Sequence, residues 1–149
     1  MKTLAAAAAV MLAAAAFLFH VTETDGTETK VTFPTELILH LADDTRATVY
    51  NAEASQCNAD FLHTASNFTI NPDSIASYHI VAMERTMMKQ YGISYGDRIL
   101  VKGAGEYDGV WNVHDTMNVR FRGQHRIDFL VPSDIKTGRW ENVTIYKII

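Results

Sequence analysis

Short runs of apolar residues, separated by polar turns, follow one another through most of the chain. Each run spans four to six residues and is bounded by Gly, Asp, Asn or Pro, which is the pattern of β-strands. The pattern predicts a compact all-β barrel rather than a βαβ sheet. The runs occupy residues 37–41, 47–50, 78–82, 98–101, 110–113, 127–131 and 143–146.

Two segments have helical character instead. Residues 84–91 contain good helix formers and are followed by Gly92, a residue that commonly ends helices. Ser133 and Asp134 are suited to cap a short helix or turn that runs to Gly138. The prediction is therefore a β-barrel with one or two short helices.

The N-terminal residues 1–19 carry one lysine before an almost unbroken apolar run with small residues near its end. This is the pattern of an export signal. A retained membrane anchor is the alternative, since the run is near the lower limit for crossing a hydrocarbon core about 30 Å thick. Residues 20–35 are polar and predict a linker, which leaves residues 36–149 for one folded domain.

The charge, the cysteine content and the spacing of the histidines indicate which partners and sites to expect. The formal net charge is −4 and no block of Lys or Arg stands out, so we expect no nucleic-acid partner. Cys57 is the only cysteine, which excludes an intramolecular disulfide. The histidines show no metal-ligand spacing with Asp, Glu or Cys. We therefore expect neither a metal site nor a cofactor.

Two aspartates are the candidate catalytic groups. In the run that contains Asp128, its neighbours Ile127 and Phe129 alternate with it, so Asp128 faces away from the core if they fill it. Asp115 follows the run at 110–113, and we expect it on the adjoining strand. Two carboxylates close together cannot both ionise freely, so one can act as an acid near neutral pH. Such a pair suits a glycosidase or a lytic transglycosylase, and spacing alone does not separate the two.

An ordered set of motifs resembles the three-aspartate (3D) domain family, whose members are double-psi β-barrels related to lytic transglycosylases and RlpA-like proteins. The resemblance covers about 100 residues in order. The matching segments are residues 47–52, 55–60, 63–66, 80–82, 95–99, 102–105, 115–118, 126–128, 138–140 and 143–146.

The resemblance implies a six-stranded double-psi β-barrel with the carboxylates in an open groove. It implies that Asp128 is the acid and base and that Asp115 shapes its pKa or holds a substrate hydroxyl. The family's first aspartate falls near residues 83–85, where Glu84 is the only carboxylate. The residues expected to bind substrate beside the catalytic pair are Asp60, His63, Glu84, Asn118 and Arg126.

These observations predict an exported, monomeric protein that cleaves the glycan strands of peptidoglycan, as a lytic transglycosylase. It would lie in the periplasm or be secreted, and it would contact a membrane only through an uncleaved N-terminal segment. Two alternatives remain open: a non-catalytic, expansin-like module that binds the cell wall, and an anchored structural component.

Overall fold

Six strands close into a barrel in the computed structural model, which describes residues 36–55, 57 and 60–149. The predicted export segment and linker lie outside these residues. Two short α-helices, α1 (Ile75–Tyr78) and α2 (Arg85–Tyr91), join the barrel strands. The strands are β1 (Ile38–Tyr50), β2 (Ile80–Met83), β3 (Arg98–Lys102), β4 (Gly109–Thr116), β5 (Arg126–Leu130) and β6 (Arg139–Ile148). Single 3-10 turns occur at Pro72–Ser74, Gly105–Tyr107 and Val119–Phe121.

The strand order around the barrel is β1-β5-β2-β4-β3-β6. β1 pairs with β5 and β2 pairs with β4 in parallel, and the other four pairings are antiparallel. The pattern of strand pairing has an internal symmetry. It is unchanged when β1 is exchanged with β4, β2 with β5 and β3 with β6. Every pairing in the described chain therefore joins the first half to the second, so neither half closes a sheet alone.

The second strand, β2, is buried on both faces. Val81 and Met83 point into the barrel core, whereas Ile80 and Ala82 belong to a second apolar cluster outside it. That second cluster includes Ile70, from the segment between β1 and β2, which therefore covers the outer face of β2. Burial on both faces explains the continuous apolar sequence of this strand.

The helix predicted at residues 84–91 is confirmed, with its first helical residue at Arg85. Glu84 is the N-cap, and its carboxylate accepts hydrogen bonds from the backbone N–H groups of Thr86 and Met87. Gly92 ends the helix in the left-handed conformation at φ 61°, where a side chain would be strained. These caps fix the direction in which the chain leaves β2.

The barrel predicted from the sequence is confirmed, with two local differences. The runs at residues 37–41 and 47–50 merge into the single strand β1, which begins at Ile38 and whose pairing with β6 shifts register three times between His40 and Ala47. The short helix α1 was not predicted. Of the two forms expected at Ser133 and Asp134, a short helix or a turn, the turn is the one that forms. Within the described part of the chain, no helix is long and apolar enough to cross a bilayer.

Candidate functional site

Four residues form a row across four neighbouring strands of the barrel. Thr48 on β1 lies opposite Asp128 on β5, Asp128 lies opposite Ala82 on β2, and Ala82 lies opposite Asp115 on β4. The prediction that the two aspartates occupy adjoining strands is therefore wrong, because β2 runs between them. With strands about 4.8 Å apart, their backbones are separated by roughly 10 Å, and the small side chain of Ala82 lies between them.

This row lies in a groove with a volume of about 1010 Å³. The loop after β4 contributes residues 117–121 to the lining. The described lining residues from the segment between β1 and β2 are Ser55, Cys57, Asp60, Phe61, His63, Thr64, Ala65, Asn67 and Ile70. Ala82 also lines the groove, so β2 runs beneath it. Six of the seven residues predicted from the sequence line this groove: Asp60, His63, Asp115, Asn118, Arg126 and Asp128.

Asp128 is a half-buried carboxyl group with one short hydrogen bond. The hydroxyl of Thr48 donates to its Oδ1 at 2.7 Å. Burial raises the pKa of Asp128 to about 6, and the negative charge of Asp115 acts in the same direction. The hydrogen bond from Thr48 and the positive charge of Arg126 lower the pKa but do not offset the burial. Asp128 therefore keeps a proton over a pH range in which an ordinary aspartate is ionised.

Asp115 is held by three donors. The Tyr50 hydroxyl donates to its Oδ2 at 3.0 Å, and the backbone N–H groups of Ala65 and Thr116 donate to its Oδ1 at 3.0 and 2.8 Å. Burial, together with the charge of Asp115, raises the pKa of Tyr50 well above its usual value, so the phenol stays a donor. Asp115 thus fixes the segment after β1 to β4, and both of its oxygens are engaged by donors of the protein.

The other predicted residues have distinct surroundings in the groove. Asp60 and His63 lie at the exposed rim and hydrogen bond to each other at 2.7 Å. The side chain of Asn118 accepts from the backbone N–H of Arg120 at 3.0 Å, which caps the 3-10 turn beneath it. The exposed Asp60–His63 pair can therefore contact a ligand at the rim, whereas the Asn118 side chain is already used within its own turn.

Glu84 does not line the groove. It is buried, and both of its oxygens accept hydrogen bonds at the start of α2, from Thr86 at 2.9 Å and Met87 at 3.0 Å. Burial acts to raise its pKa, but these backbone donors outweigh burial and lower it. Glu84 is therefore a helix cap in this fold, and it does not join the two aspartates.

Sequence reasoning predicted Arg126 as a groove residue but missed Thr48, Arg85, Arg120 and Phe121. The planar guanidinium groups of Arg120 and Arg126 lie over the Phe121 ring, with their carbon atoms 4.7 and 4.0 Å from its centroid. Arg85, at the start of α2, and Thr48 also line the groove. Arg85, Arg120 and Phe121 lie outside the matched motifs, and only the barrel closure places them beside Arg126.

Neither a metal site among the described residues nor a sequence relative gives further evidence on the function of the groove. In the described ranges of the chain, no group of three or more His, Cys, Asp or Glu side chains is placed to hold a metal ion. No protein-family model matches the chain, and no curated protein matches its sequence. Function is therefore inferred from the groove itself and from the motif resemblance.

Proposed function

We propose that the protein binds peptidoglycan glycan strands in this groove and cleaves them as a lytic transglycosylase. The observation that carries the proposal is the state of Asp128, a half-buried carboxyl in a groove of about 1010 Å³ whose pKa is raised to about 6. An acid that keeps its proton near neutral pH is the group that glycosidic bond cleavage requires.

One carboxyl group suffices for this reaction. Asp128 gives its proton to the glycosidic oxygen as the bond from that oxygen to the anomeric carbon breaks. The resulting carboxylate takes the proton of the same sugar's 6-hydroxyl, whose oxygen closes on the anomeric carbon to form an anhydro ring. No water is consumed, and Asp128 ends protonated again.

The surroundings of Asp115 favour a transglycosylase over a standard hydrolase. A hydrolase needs a second carboxylate as base or nucleophile. Both oxygens of Asp115 already accept hydrogen bonds, from Tyr50, Ala65 and Thr116. Its negative charge instead helps Asp128 to retain its proton and stabilises the positive charge that develops on the sugar ring.

The proposal extends to family and location. Membership of the 3D family and the double-psi form of the barrel are supported by the exchange symmetry of the two halves and by their two parallel pairings. Export to the periplasm or beyond is supported by the apolar pattern of residues 1–19 and by the location of peptidoglycan outside the cytoplasm.

The test is digestion of purified cell wall by the wild-type chain, with mass spectrometry of the soluble products. We expect glycan fragments that end in anhydro sugars, and no release by the Asp128→Asn variant. The matched control is Asp97→Asn, because Asp97 lies outside the groove and pairs with Lys147; it should release product at the wild-type rate. Reducing ends instead of anhydro ends would indicate a hydrolase, and equal release by Asp128→Asn would remove the catalytic role.

A cell-wall-binding module that does not cleave is the second candidate function. The observation that favours it is Glu84, which occupies the place of the family's first aspartate and is used as a helix cap. Retention of the protein on insoluble wall without any soluble product, by wild type and Asp128→Asn alike, would support this expansin-like role. An anchored structural component would show neither binding nor release.

A further inference from the structure

Three arginines line the groove without an ion-pair partner. Arg85, Arg120 and Arg126 all contribute to its wall, and none lies within 4.0 Å of a carboxylate of the described residues. Elsewhere in the described chain, arginines and lysines on the barrel surface do form such pairs, as Arg46 does with Glu141 at 2.8 Å. The groove therefore keeps three arginines that make no direct ion pair with a carboxylate of the described residues.

The carboxylates of the groove are satisfied without these arginines. Asp128 accepts from the Thr48 hydroxyl, and the donors to Asp115 are a phenol and two backbone N–H groups. Arg126 acts on Asp128 only through its charge. Cations and anions in the same groove are thus separated, and the guanidinium groups remain available for an anion from outside.

Packing holds two of these guanidinium groups in place. Arg120 and Arg126 both lie over the ring of Phe121, and stacking on an aromatic face orients a guanidinium group while leaving its edge donors free. The Nε atom of Arg126 is buried and has no hydrogen-bond partner among the described residues. A buried donor without an acceptor is rare in folded proteins and calls for a missing partner.

We propose that Arg85, Arg120 and Arg126 form a carboxylate-binding subsite beside Asp128, which selects glycan strands that carry a free carboxylate near the bond to be cut. Guanidinium groups bind carboxylates through paired, charge-assisted hydrogen bonds. This subsite rests on the proposed function for its substrate, and it adds a requirement that the acid alone does not impose. The carboxylate has two sources in peptidoglycan: the acidic sugar itself, or the peptide attached to it.

The experiment measures binding by calorimetry to the full chain carrying Asp128→Asn, so that the ligand is not consumed. The probes are a soluble glycan tetramer with free sugar carboxylates, the same tetramer after amidation, and a tetramer whose sugar carboxylates bear peptides. We expect amidation to weaken binding by about 10- to 100-fold, as for the loss of charge-assisted hydrogen bonds. Tighter binding of the peptide-bearing tetramer than of the free acid assigns the carboxylate to the peptide, and weaker binding assigns it to the sugar.

The variants Arg85→Gln and Arg120→Gln, made on the same background, should lose the preference for the acidic tetramer over the amidated one. The matched control is Arg122→Gln, because Arg122 is exposed on the same loop but does not line the groove; it should keep the preference. Circular dichroism verifies that each variant is folded.

The two proposals fail separately. Equal binding of the acidic and amidated tetramers, while the wild type still cleaves wall, would overturn the subsite and leave the transglycosylase activity intact. Loss of the preference in Arg122→Gln as well would also overturn the subsite. A carboxylate preference that depends on Arg120, in a wild-type chain that releases no product, would support the subsite and overturn cleavage.

Discussion

Two half-buried aspartates on opposite parts of the barrel show how the fold sets the chemistry of a carboxyl group. Asp97, before β3, accepts from Lys147 at 2.7 Å and from the Ser94 backbone N–H at 2.8 Å. Burial acts to raise its pKa, but Lys147 and the Ser94 backbone N–H together outweigh burial and lower it. Asp128 in the groove has no cation in contact among the described residues, and burial raises its pKa to about 6.

The comparison shows that burial alone does not decide the protonation of these groups. Desolvation raises the pKa in both places, but Asp128 is the more deeply buried of the two, and the two carboxyl groups differ in their partners. On the β3 side of the barrel, Lys147 and the Ser94 backbone N–H contact the carboxylate and favour its charged form. In the groove, Arg126 lies beyond ion-pair distance of Asp128, and the deeper burial keeps the pKa raised.

The largest expected effect is on the pH dependence of cleavage. Because Asp128 must be protonated to act as an acid, the rate should fall about tenfold for each pH unit above its pKa of about 6. Release of product from purified wall, measured between pH 5 and 8 in a buffer series (roughly the range in which an acid of this kind titrates), checks this. Asp97→Asn should give the same profile as wild type. A rate that stays constant from about pH 6 to 8 would show that another group is the acid.

The second largest expected effect is on the free energy of unfolding, which Asp128→Asn and Asp97→Asn should change in opposite directions. The pKa of Asp128 is raised in the folded state, from a usual value of 3.8 to about 6. Its ionisation therefore removes stability as pH rises through that range, by about 2 to 3 kcal/mol. Asp128→Asn should accordingly raise the free energy of unfolding at neutral to alkaline pH.

Asp97→Asn should lower the free energy of unfolding at neutral to alkaline pH. The pKa of Asp97 is lowered in the folded state, so its charged form stabilises the fold above the usual pKa, and this stability is lost in acid. A cost of about 1 kcal/mol is expected for a partly buried pair. Urea denaturation of both variants at alkaline and acid pH measures the two effects. Destabilisation by both variants at alkaline pH would contradict the contrast between the sites.

The smallest expected effect is a shift of the acid's pKa. Thr48→Val keeps the shape of the side chain but removes the hydrogen bond that lowers the pKa of Asp128. The fall in cleavage rate should therefore move to higher pH. Thr45→Val is the control on the same strand, because the buried Thr45 hydroxyl has no partner among the described residues and does not line the groove. If Thr48→Val leaves the pH dependence of the cleavage rate unchanged, the protonation of Asp128 does not control that rate.

Local features of the barrel and most of its groove residues could be predicted from the sequence. The alternation of Ile127, Asp128 and Phe129 placed the aspartate away from the core, and Gly92 marked the end of α2. Both depend on neighbours along the chain, which a sequence pattern records directly.

The strand order could not be predicted in the same way. Asp115 and Asp128 were placed on adjoining strands because they are close in sequence, yet β2 runs between β4 and β5. That insertion depends on pairing between the two halves of the chain, which no short window contains. Arg85 and Arg120 were missed for the same reason, since they meet Arg126 only after the barrel closes. Glu84 was expected at the site because it is the only carboxylate near the place of the family's first aspartate, whereas in the fold its side chain caps α2.

The most direct test of the account is an NMR titration of the aspartate side-chain carboxyl carbons in the full chain, with Asp128→Asn and Asp97→Asn used to assign the two signals. The account predicts that Asp128 titrates at a pKa of about 6 and that Asp97 titrates below its usual value of 3.8. A pKa for Asp128 at or below 3.8 would show that the groove does not retain its proton, and the acid proposed for glycan cleavage would be lost.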